Sequence, residues 1–234
     1  MDRLTRKELK RDAFAQEVGQ TVEYVEQHRK QVLVYGSIAL VLVLSVAAYR
    51  WYSKRQHEAR QRQLHQAMRV LDAAIGPPSP GGRILTFPTQ EARATAAVKA
   101  LTDLAANHGG SDEGIVARYF LATIQADQGK LEEAEKSYRL VVEEGEEPYA
   151  SLAKFALAQV CHARGNTAEG EKLLRSLIEK PTGLVSKEQA TITLAQMLAS
   201  SRPEEARKLL EPLRTQPGAV SRTALTAIGS LPQK

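Results

Sequence analysis

The sequence predicts an all-α protein in which one transmembrane helix precedes an α-solenoid of about three degenerate helical hairpins. Three observations support this prediction: an apolar run within residues 31–52, an Ala- and Leu-rich composition with only 5% aromatic residues, and apolar positions that recur every 36 residues. Ala and Leu lose little conformational entropy in a helix, so this composition favours helices. The length of 234 residues fits one domain of moderate size, or a small domain with an accessory segment.

The apolar run contains 18 uncharged residues from Val32 to Tyr49, and ten of them are Val, Leu or Ile. At ~1.5 Å per residue such a helix is roughly 27 Å long, close to the ~30 Å hydrocarbon core of a bilayer. Trp51 and Tyr52 follow at its C-terminal edge, where aromatic rings settle at the lipid headgroups. These features predict that residues 31–52 span a lipid bilayer.

A cleaved signal and a buried core helix are the two alternatives for this run. Ser45 and Ala47 are small residues two apart, so a weak cleavage site exists. However, the 31 preceding residues are rich in acids, and the apolar run is longer than a signal requires. A core helix is rarely apolar on every face in a chain of this size. The sequence therefore favours an uncleaved anchor.

Residues 1–30 are predicted to be a charged, helical, cytoplasmic tail. Seven basic residues precede the apolar run and six lie between Arg50 and Arg69, so the positive-inside rule barely decides the orientation. A short tail followed by a long C-terminal domain favours a cytoplasmic N-terminus and an extracytoplasmic domain. The tail is either a helix that docks on a membrane partner or on the anionic lipid leaflet, or a solvated helix that extends the anchor. Its acidic residues dilute the basic ones and therefore favour the solvated helix.

Residues 53–75 are predicted to continue the helix beyond the anchor, because Leu64, Met68, Leu71 and Ile75 share one face. Residues 76–89, GPPSPGGRILTFPT, contain four prolines and three glycines, which cannot continue a helix. This stretch is therefore predicted to be a surface loop. It separates the anchor helix from the domain at residues 90–234.

That domain repeats itself with a 36-residue offset between GKLEEAEKSYRLVVE and GNTAEGEKLLRSLIE, which begin at Gly129 and Gly165. A period in the mid-thirties is typical of stacked helical hairpins, in which a small residue allows close approach and large residues fill the groove. The two glycines fit the tight turn between paired helices. The equivalent small and large positions are Ala134, Gly170 and Ala206, then Tyr138, Leu174 and Leu210, then Val141, Leu177 and Leu213, with Ala97, Leu101 and Leu104 at an offset of 37.

The segment GKLEEAEKSY resembles the second-helix half of the tetratricopeptide repeat, and Ala122 and Ala158 match the small residue of its first helix. The chain departs from the motif at Gly170, where Ala is usual, and at Ser201, where the turn glycine is expected. The resemblance covers about residues 90–214. A final helix from Ala219 to Leu231 is predicted to cap the stack, as terminal repeats require.

The segments VEYVEQHRK before the anchor and AYRWYSKRQHEAR after it are similar to the bacterial ancillary Sec-translocon subunit family of membrane-anchored tetratricopeptide-like proteins. This resemblance implies a single-pass protein of the bacterial inner membrane with a periplasmic repeat domain. It also implies protein partners, namely the Sec translocon and periplasmic chaperones. The function expected from it is that of an adaptor or chaperone-like scaffold.

Other function classes find little support in the sequence. The net charge of +5 is spread along the chain, without the basic excess of nucleic-acid binders, and no catalytic, metal-binding or phosphate-binding motif occurs. We therefore expect no enzyme activity, cofactor, metal or small-molecule substrate. The single Cys161 is expected to be a small core residue. A cell-envelope or division-machinery organiser without client chaperoning remains the alternative function.

If the stack binds a partner, the inner face of the first helices is the expected place. The candidate partner-binding residues there are Tyr119, Phe155, Gln159 and His162. The two aromatic residues are 36 apart and equivalent, and core packing is the more common role for such a pair. The acidic second helix is expected to be a solvated face with pairs such as Glu132–Lys136 and Glu135–Arg139.

Overall fold

The computed structural model describes residues 29–77 and 84–232; the predicted tail up to residue 28 and positions 78–83 of the predicted loop lie outside them. The chain divides into two compact units, Met1–Glu58 and Ala59–Lys234. The described elements are α1 (Arg29–Leu71), β1 (Ala74–Ile75), β2 (Thr86–Phe87), α2 (Gln90–Asn107), α3 (Asp112–Asp127), α4 (Leu131–Glu144), α5 (Tyr149–Ala163), α6 (Thr167–Glu179), α7 (Lys187–Leu198), α8 (Pro203–Leu210), a 3-10 turn (Glu211–Leu213) and α9 (Ala219–Gly229).

The apolar part of α1 is long and apolar enough to cross a membrane, judged by length and composition. Its 18-residue window has a mean hydropathy of 2.3, and none of the window is buried. The hydroxyls of Ser37 and Ser45 donate to the carbonyls of Val34 and Val41 at 2.8 and 2.7 Å, so they are satisfied within the helix. A polar group satisfied in this way is compatible with a hydrocarbon environment.

The predicted helix over residues 53–75 is too long by one turn, because α1 ends at Leu71. The chain instead forms β1, which pairs in parallel with β2 through bonds from the Ala74 and Gly76 amides to the carbonyls of Leu85 and Phe87. Pro77 disfavours helical geometry at Gly76, the residue before it. The side chain of Ile75 is 51% exposed, so a helix extended to residue 75 would bury little additional apolar surface. This two-stranded sheet is also the one departure from an all-α fold among the described residues.

Three helical hairpins follow α2, as the repeat predicts: α3 with α4, α5 with α6, and α7 with α8. Gly129 and Gly165 lie in the first two turns with φ of +76° and +85°, a conformation that is favourable for Gly. The third turn has Ser201 instead, and no non-Gly residue in the described part of the chain has a positive φ. Pro203 begins α8 there, a position where the missing amide costs nothing.

The predicted repeat positions form the core of the stack. Eleven of the twelve are apolar side chains that are at most 6% exposed, and the twelfth, Gly170, is also buried. The small Ala122 and Ala158 of the first helices are fully buried as well. Deep burial at a 36-residue period confirms the hairpin register predicted from the sequence.

Gly170 replaces the usual Ala because α5 and α6 approach each other too closely for a methyl group. A Cβ placed on Gly170 would lie 2.6 Å from the carbonyl oxygen of Ala158 and 3.1 Å from Cε of Met197. A carbon this close to a backbone oxygen forces the helices apart. The departure from the motif is therefore a packing requirement of the second hairpin.

The C-terminal helix α9 packs against α7 and α8, as predicted for a capping element. Ala224, Ala227 and Leu231 are buried there, with Leu231 just beyond the helix end at Gly229. At the other end of the stack, Leu64, Ala67 and Leu71 of α1 join the core cluster of α2 and α3. The Arg60 Nε donates to Glu113 Oε2 at 3.1 Å, which adds a partly buried ion pair to that contact.

Candidate protein-interaction surface

The first helix of the middle hairpin presents a stripe of accessible, uncharged side chains. Leu152, Phe155, Gln159 and His162 are spaced at i, i+3, i+7 and i+10, which places them on one side of α5. Leu152 and Phe155 are half-buried, whereas Gln159 and His162 are exposed. Ala153, Leu157, Ala158 and Cys161, on the other side, are buried in the core. The stripe is therefore the more accessible side of α5, although Leu152 and Phe155 also pack against a core cluster.

The same stripe recurs on the first helices of the neighbouring hairpins, at offsets of 36 and 37 residues. Every member is half-buried or exposed, none is fully buried, and none is Asp, Glu, Lys or Arg. We call these twelve positions the first-helix face; beside the four of α5, they are Val116, Tyr119, Thr123 and Ala126 of α3, Gln189, Ile192 and Gln196 of α7, and Ala199 directly after α7.

Two rows within the first-helix face run across the three hairpins. An apolar row contains Tyr119, Phe155 and Ile192, each with one side packed against the core. A polar row beside it contains Thr123, Gln159 and Gln196. An apolar strip next to hydrogen-bonding groups can hold both the side chains and the backbone of a polypeptide.

Tyr119 belongs to an aromatic cluster with Phe120, Tyr138 and Tyr149. Its ring centroid lies 5.4 to 5.9 Å from those three rings; the contacts with Phe120 and Tyr149 are edge-on and the contact with Tyr138 is tilted. Burial raises the pKa of Tyr119 and of Tyr138 above the usual 10. The Tyr138 hydroxyl lies 3.0 Å from that of Thr123. Tyr119 therefore has a packing role, and its half-buried ring also contributes to the first-helix face.

The other three candidate residues differ in their environment. Phe155 packs against the core shared by the second and third hairpins, which is the packing role expected of an aromatic at a repeated position. Gln159 is exposed, and His162 Nδ1 lies 3.0 Å from the Thr167 hydroxyl. Sequence reasoning missed Thr123, Ile192 and Gln196, although offsets of 36 and 37 residues from Phe155 and Gln159 point to them. It also missed Leu152, which lies one helical turn before Phe155.

Residues 23–181 match the sequence family described as the tetratricopeptide repeat-like domain. This match covers about two thirds of the chain, from before α1 to just after α6. The chain belongs to this family. The matched region contains α1, α2 and the first two hairpins, while the third hairpin and α9 lie beyond it.

Solved structures agree with this family fold. The chain is similar to TPR-like repeats assigned to a kinesin light chain of Podosopora anserina, at 17% identity and a TM-score of 0.54, covering 72% of this chain and 82% of that one. A variant of the same protein matches with 16% identity and the same TM-score and coverage. No curated protein matches the chain. The likeness supports an α-solenoid, a fold that scaffolds protein–protein interactions.

The second helices of this tetratricopeptide repeat-like domain carry a different surface, dominated by ion pairs. Arg139 of α4 bonds to Glu135 on the same helix and to Glu169 of α6, at 2.8 and 2.7 Å. These carboxylates have their pKa lowered, chiefly by the hydrogen bond from Arg139, and Arg139 has its own pKa raised chiefly by Glu169. The predicted pair Glu132–Lys136 is also present, at 2.7 Å.

The same ion-pair arrangement occurs again 36 residues later. Arg175 of α6 bonds to Glu171 on its own helix and to Glu205 of α8, at 2.7 and 2.6 Å. Arg202 also pairs with both of these carboxylates. The acidic residues Glu135, Glu169, Glu171 and Glu205 are thus paired with arginines. The residues of the first-helix face form no arginine–glutamate ion pairs of this kind, so this face is the better candidate for binding another protein.

Two possible reactive features of the described residues are metal-ligating groups and the single cysteine. No group of three His, Cys, Asp or Glu side chains in residues 29–77 and 84–232 is placed to hold a metal ion. Cys161 is fully buried, and burial raises the pKa of its thiol to about 11. A protonated, buried thiol is a poor nucleophile at neutral pH.

Proposed function

We propose that this protein is a bacterial inner-membrane scaffold, anchored by residues 31–52, whose extracytoplasmic repeat domain binds protein partners. The observation that carries the proposal is the presence, in one chain, of an unburied apolar helix and a repeat domain with an uncharged accessible face. An apolar helix of this length is stable in lipid, whereas its exposure to water is unfavourable. The scaffold would then act beside a membrane assembly.

The protein-export channel is the assembly that we propose. Support for this choice comes from the likeness of VEYVEQHRK and AYRWYSKRQHEAR to the ancillary Sec-translocon subunit family. In this role the protein acts as an adaptor or chaperone-like scaffold, without catalysis and without a cofactor. Periplasmic chaperones are the further partners that the resemblance implies.

The topology is tested by protease access in spheroplasts of cells that produce the full chain. We expect the repeat domain to be degraded in intact spheroplasts, because it lies on the extracytoplasmic side of the membrane. A cytoplasmic marker protein must survive the same treatment until the membrane is opened. Degradation of the repeat domain only after opening contradicts the proposed orientation. A chain found in the soluble fraction contradicts the anchor.

Partner identity is tested by co-purification of the full chain from gently solubilised membranes. We expect components of the export channel, or chaperones, to be recovered with the wild-type protein. A matched purification of an unrelated single-pass protein shows which proteins bind without specificity. Recovery of division or wall-synthesis proteins, with localisation at midcell, supports the envelope organiser instead and contradicts the export version.

A further inference from the structure

We propose that Arg50, Lys54 and Arg55 of α1, which we call the basic cluster, bind the headgroups of anionic phospholipids around the anchor. This inference rests on the proposed membrane anchor, and it does not depend on the side of the membrane on which the repeat domain lies. Four features carry it: the local excess of positive charge, the position directly after the apolar run, the availability of the cations and their aromatic neighbours.

Positive charge beyond the anchor is concentrated in one short stretch of the chain. Residues 50–69 carry six Lys or Arg and one acidic residue, Glu58. Residues 70–234 carry 19 Lys or Arg and 20 Asp or Glu, so their net charge is close to zero. A basic excess that directly follows a membrane segment attracts anionic lipid. The chain therefore places its extracytoplasmic excess of positive charge where lipid phosphates lie.

The basic cluster lies at the depth of the lipid headgroups when the apolar run spans the hydrocarbon core. The run ends at Tyr49, and Arg50 follows it directly. Lys54 and Arg55 lie roughly 6 and 7.5 Å further along the helix, at ~1.5 Å per residue. The headgroup layer on each side is roughly 5–8 Å thick, since the whole bilayer exceeds its hydrocarbon core by about 10–15 Å. All three cations therefore reach the phosphate groups of neighbouring lipids.

The cationic groups of the cluster are available to a ligand. All three side chains are exposed, and Arg50 and Lys54 make no hydrogen bond or ion pair within residues 29–77 and 84–232. By contrast, Arg60, further along α1, is bonded to Glu113 at 3.1 Å. An arginine without a carboxylate partner donates two parallel bonds to a phosphate, and a lysine ammonium adds a point charge beside it.

Aromatic side chains hold part of the cluster in place. The Arg55 guanidinium carbon lies 4.0 Å from the centre of the Trp51 ring, which is a cation–π contact. Stacking uses the face of the guanidinium and leaves its N–H groups free at the edge. Gln56 Nε2 donates to the Tyr52 hydroxyl at 2.7 Å. Both rings are exposed and of the kind that settles at the headgroups, so they keep Arg55 at that depth.

An anionic phospholipid fits the cluster better than a zwitterionic one does. The headgroup of phosphatidylcholine carries its own ammonium, which neutralises the phosphate, whereas phosphatidylglycerol has no cation of its own. Each Lys or Arg near an anionic lipid surface favours binding by roughly fivefold. An acidic protein surface would have to displace headgroups to reach Arg50 at the edge of the hydrocarbon core. Lipid is therefore the favoured occupant.

The single tryptophan of the chain provides the measurement, because Trp51 lies beside Arg55. The full chain is placed in phosphatidylcholine nanodiscs that contain an equal fraction of brominated phosphatidylglycerol or of brominated phosphatidylcholine. Bromine near the headgroup end of the acyl chains quenches tryptophan on contact. We expect the quenching of Trp51 to show phosphatidylglycerol enriched at least about threefold at the protein. Equal quenching by the two brominated lipids overturns the inference.

Salt and variants identify the cause of the enrichment. It should decrease as salt rises from roughly 0.1 M to 1 M, because ions screen the phosphate contacts. The triple variant Arg50→Gln, Lys54→Gln and Arg55→Gln should bring the enrichment close to one. Each value is normalised to the same variant without bromine, because the loss of Arg55 itself changes the emission of Trp51. Unchanged enrichment in this variant contradicts the site.

A charge-matched triple variant is the control. Lys172→Gln, Lys180→Gln and Lys208→Gln remove three exposed lysines on or directly after α6 and on α8, and change the net charge by the same amount. This variant should retain the enrichment, since its charges lie far along the chain from the anchor. Circular dichroism must show that both triple variants remain helical. The same loss in both variants shows an effect of overall charge and contradicts a local site.

Two further outcomes would assign the cluster to another ligand. Replacement of chloride by inorganic phosphate at equal ionic strength should leave the enrichment unchanged. If phosphate abolishes it, the cluster binds soluble phosphate and the lipid assignment is wrong. If lipid enrichment is absent and the cluster variant also loses co-purified proteins, the cluster binds an acidic protein surface instead, which likewise contradicts the inference.

The anchor and the lipid selectivity fail in different ways. Brominated phosphatidylcholine alone shows whether Trp51 meets lipid. If neither brominated lipid quenches Trp51, the anchor is wrong and the inference falls with it. If both lipids quench it equally, the anchor stands and only the selectivity is wrong.

Discussion

Arg139 of α4 and Glu169 of α6 form an ion pair, with 2.7 Å between Nη1 and Oε1, that joins one hairpin to the next. Arg175 and Glu205 repeat this contact 36 residues later, at 2.6 Å. Each arginine also bonds to a glutamate one turn earlier on its own helix. The second helices are thus linked by a regular series of ion pairs, while the first helices keep an uncharged face.

Removal of one ion pair between hairpins should lower the stability of the repeat domain by a modest amount. Arg139→Gln is expected to lower the free energy of unfolding by about 0.5–1 kcal/mol, since partly exposed ion pairs are individually weak. Urea unfolding of the full chain in nanodiscs, followed by circular dichroism, measures this change. A double-mutant cycle with Glu169→Gln isolates the pair. A coupling energy of zero would show that the pair does not hold the hairpins together.

Acid should destabilise the repeat domain through the same carboxylates. Glu135, Glu169 and Glu171 have their pKa lowered below the ordinary 4.5 by hydrogen bonds from arginines. Their contribution to stability is therefore complete above pH 4.5 and is lost as the pH falls through the lowered pKa of the folded state. Urea midpoints should be flat from pH 7 to pH 5 and then fall. Glu169→Gln should reduce that fall, and an unchanged acid dependence in this variant counts against the explanation.

Gly170→Ala should destabilise the second hairpin. The added methyl group would meet the Ala158 carbonyl oxygen at 2.6 Å, so α5 and α6 must separate. The expected loss is about 1–3 kcal/mol, which is typical of overpacking. Gly229→Ala is the matched control, because a Cβ there has no neighbour within 4 Å. If Gly170→Ala is as stable as the control, close helix approach is not the reason for the glycine.

Cys161 should be unreactive in the folded protein. Its side chain is fully buried, and burial raises the pKa of the thiol to about 11, so the thiolate is scarce at pH 8. A chromogenic disulfide reagent should modify it only after the domain unfolds in urea. Rapid stoichiometric modification of the native chain would show that the core around α5 opens readily.

The sequence predicted the hairpin repeat well because burial imposes a strict period on the apolar residues. Ala134, Gly170 and Ala206 must all be small, and that requirement is visible in one sequence. The end of α1 was predicted one turn too late, because Ile75 continues the apolar pattern although its side chain is exposed in β1. Pairing between distant strands leaves no comparable periodic signal.

The surfaces were harder to predict than the core. The pair Glu135–Arg139 is local and was expected, whereas the link from Arg139 to Glu169 depends on how the hairpins stack. On the first-helix face, Tyr119 and Phe155 were recognised as equivalent aromatics. Gln196 was missed because it lies 37 residues after Gln159, one more than the 36-residue offset between the first two hairpins.

We propose above that the repeat domain binds protein partners beside the membrane, and the first-helix face is the candidate surface for this binding. Site-specific photo-crosslinking in living cells tests it most directly, with a photoreactive amino acid in place of Gln159 on the face or of Lys172, which is exposed on α6. We expect a protein adduct from position 159, containing an export-channel component or a chaperone, and no such adduct from position 172. No adduct at position 159, or the same adducts from both positions, would contradict it.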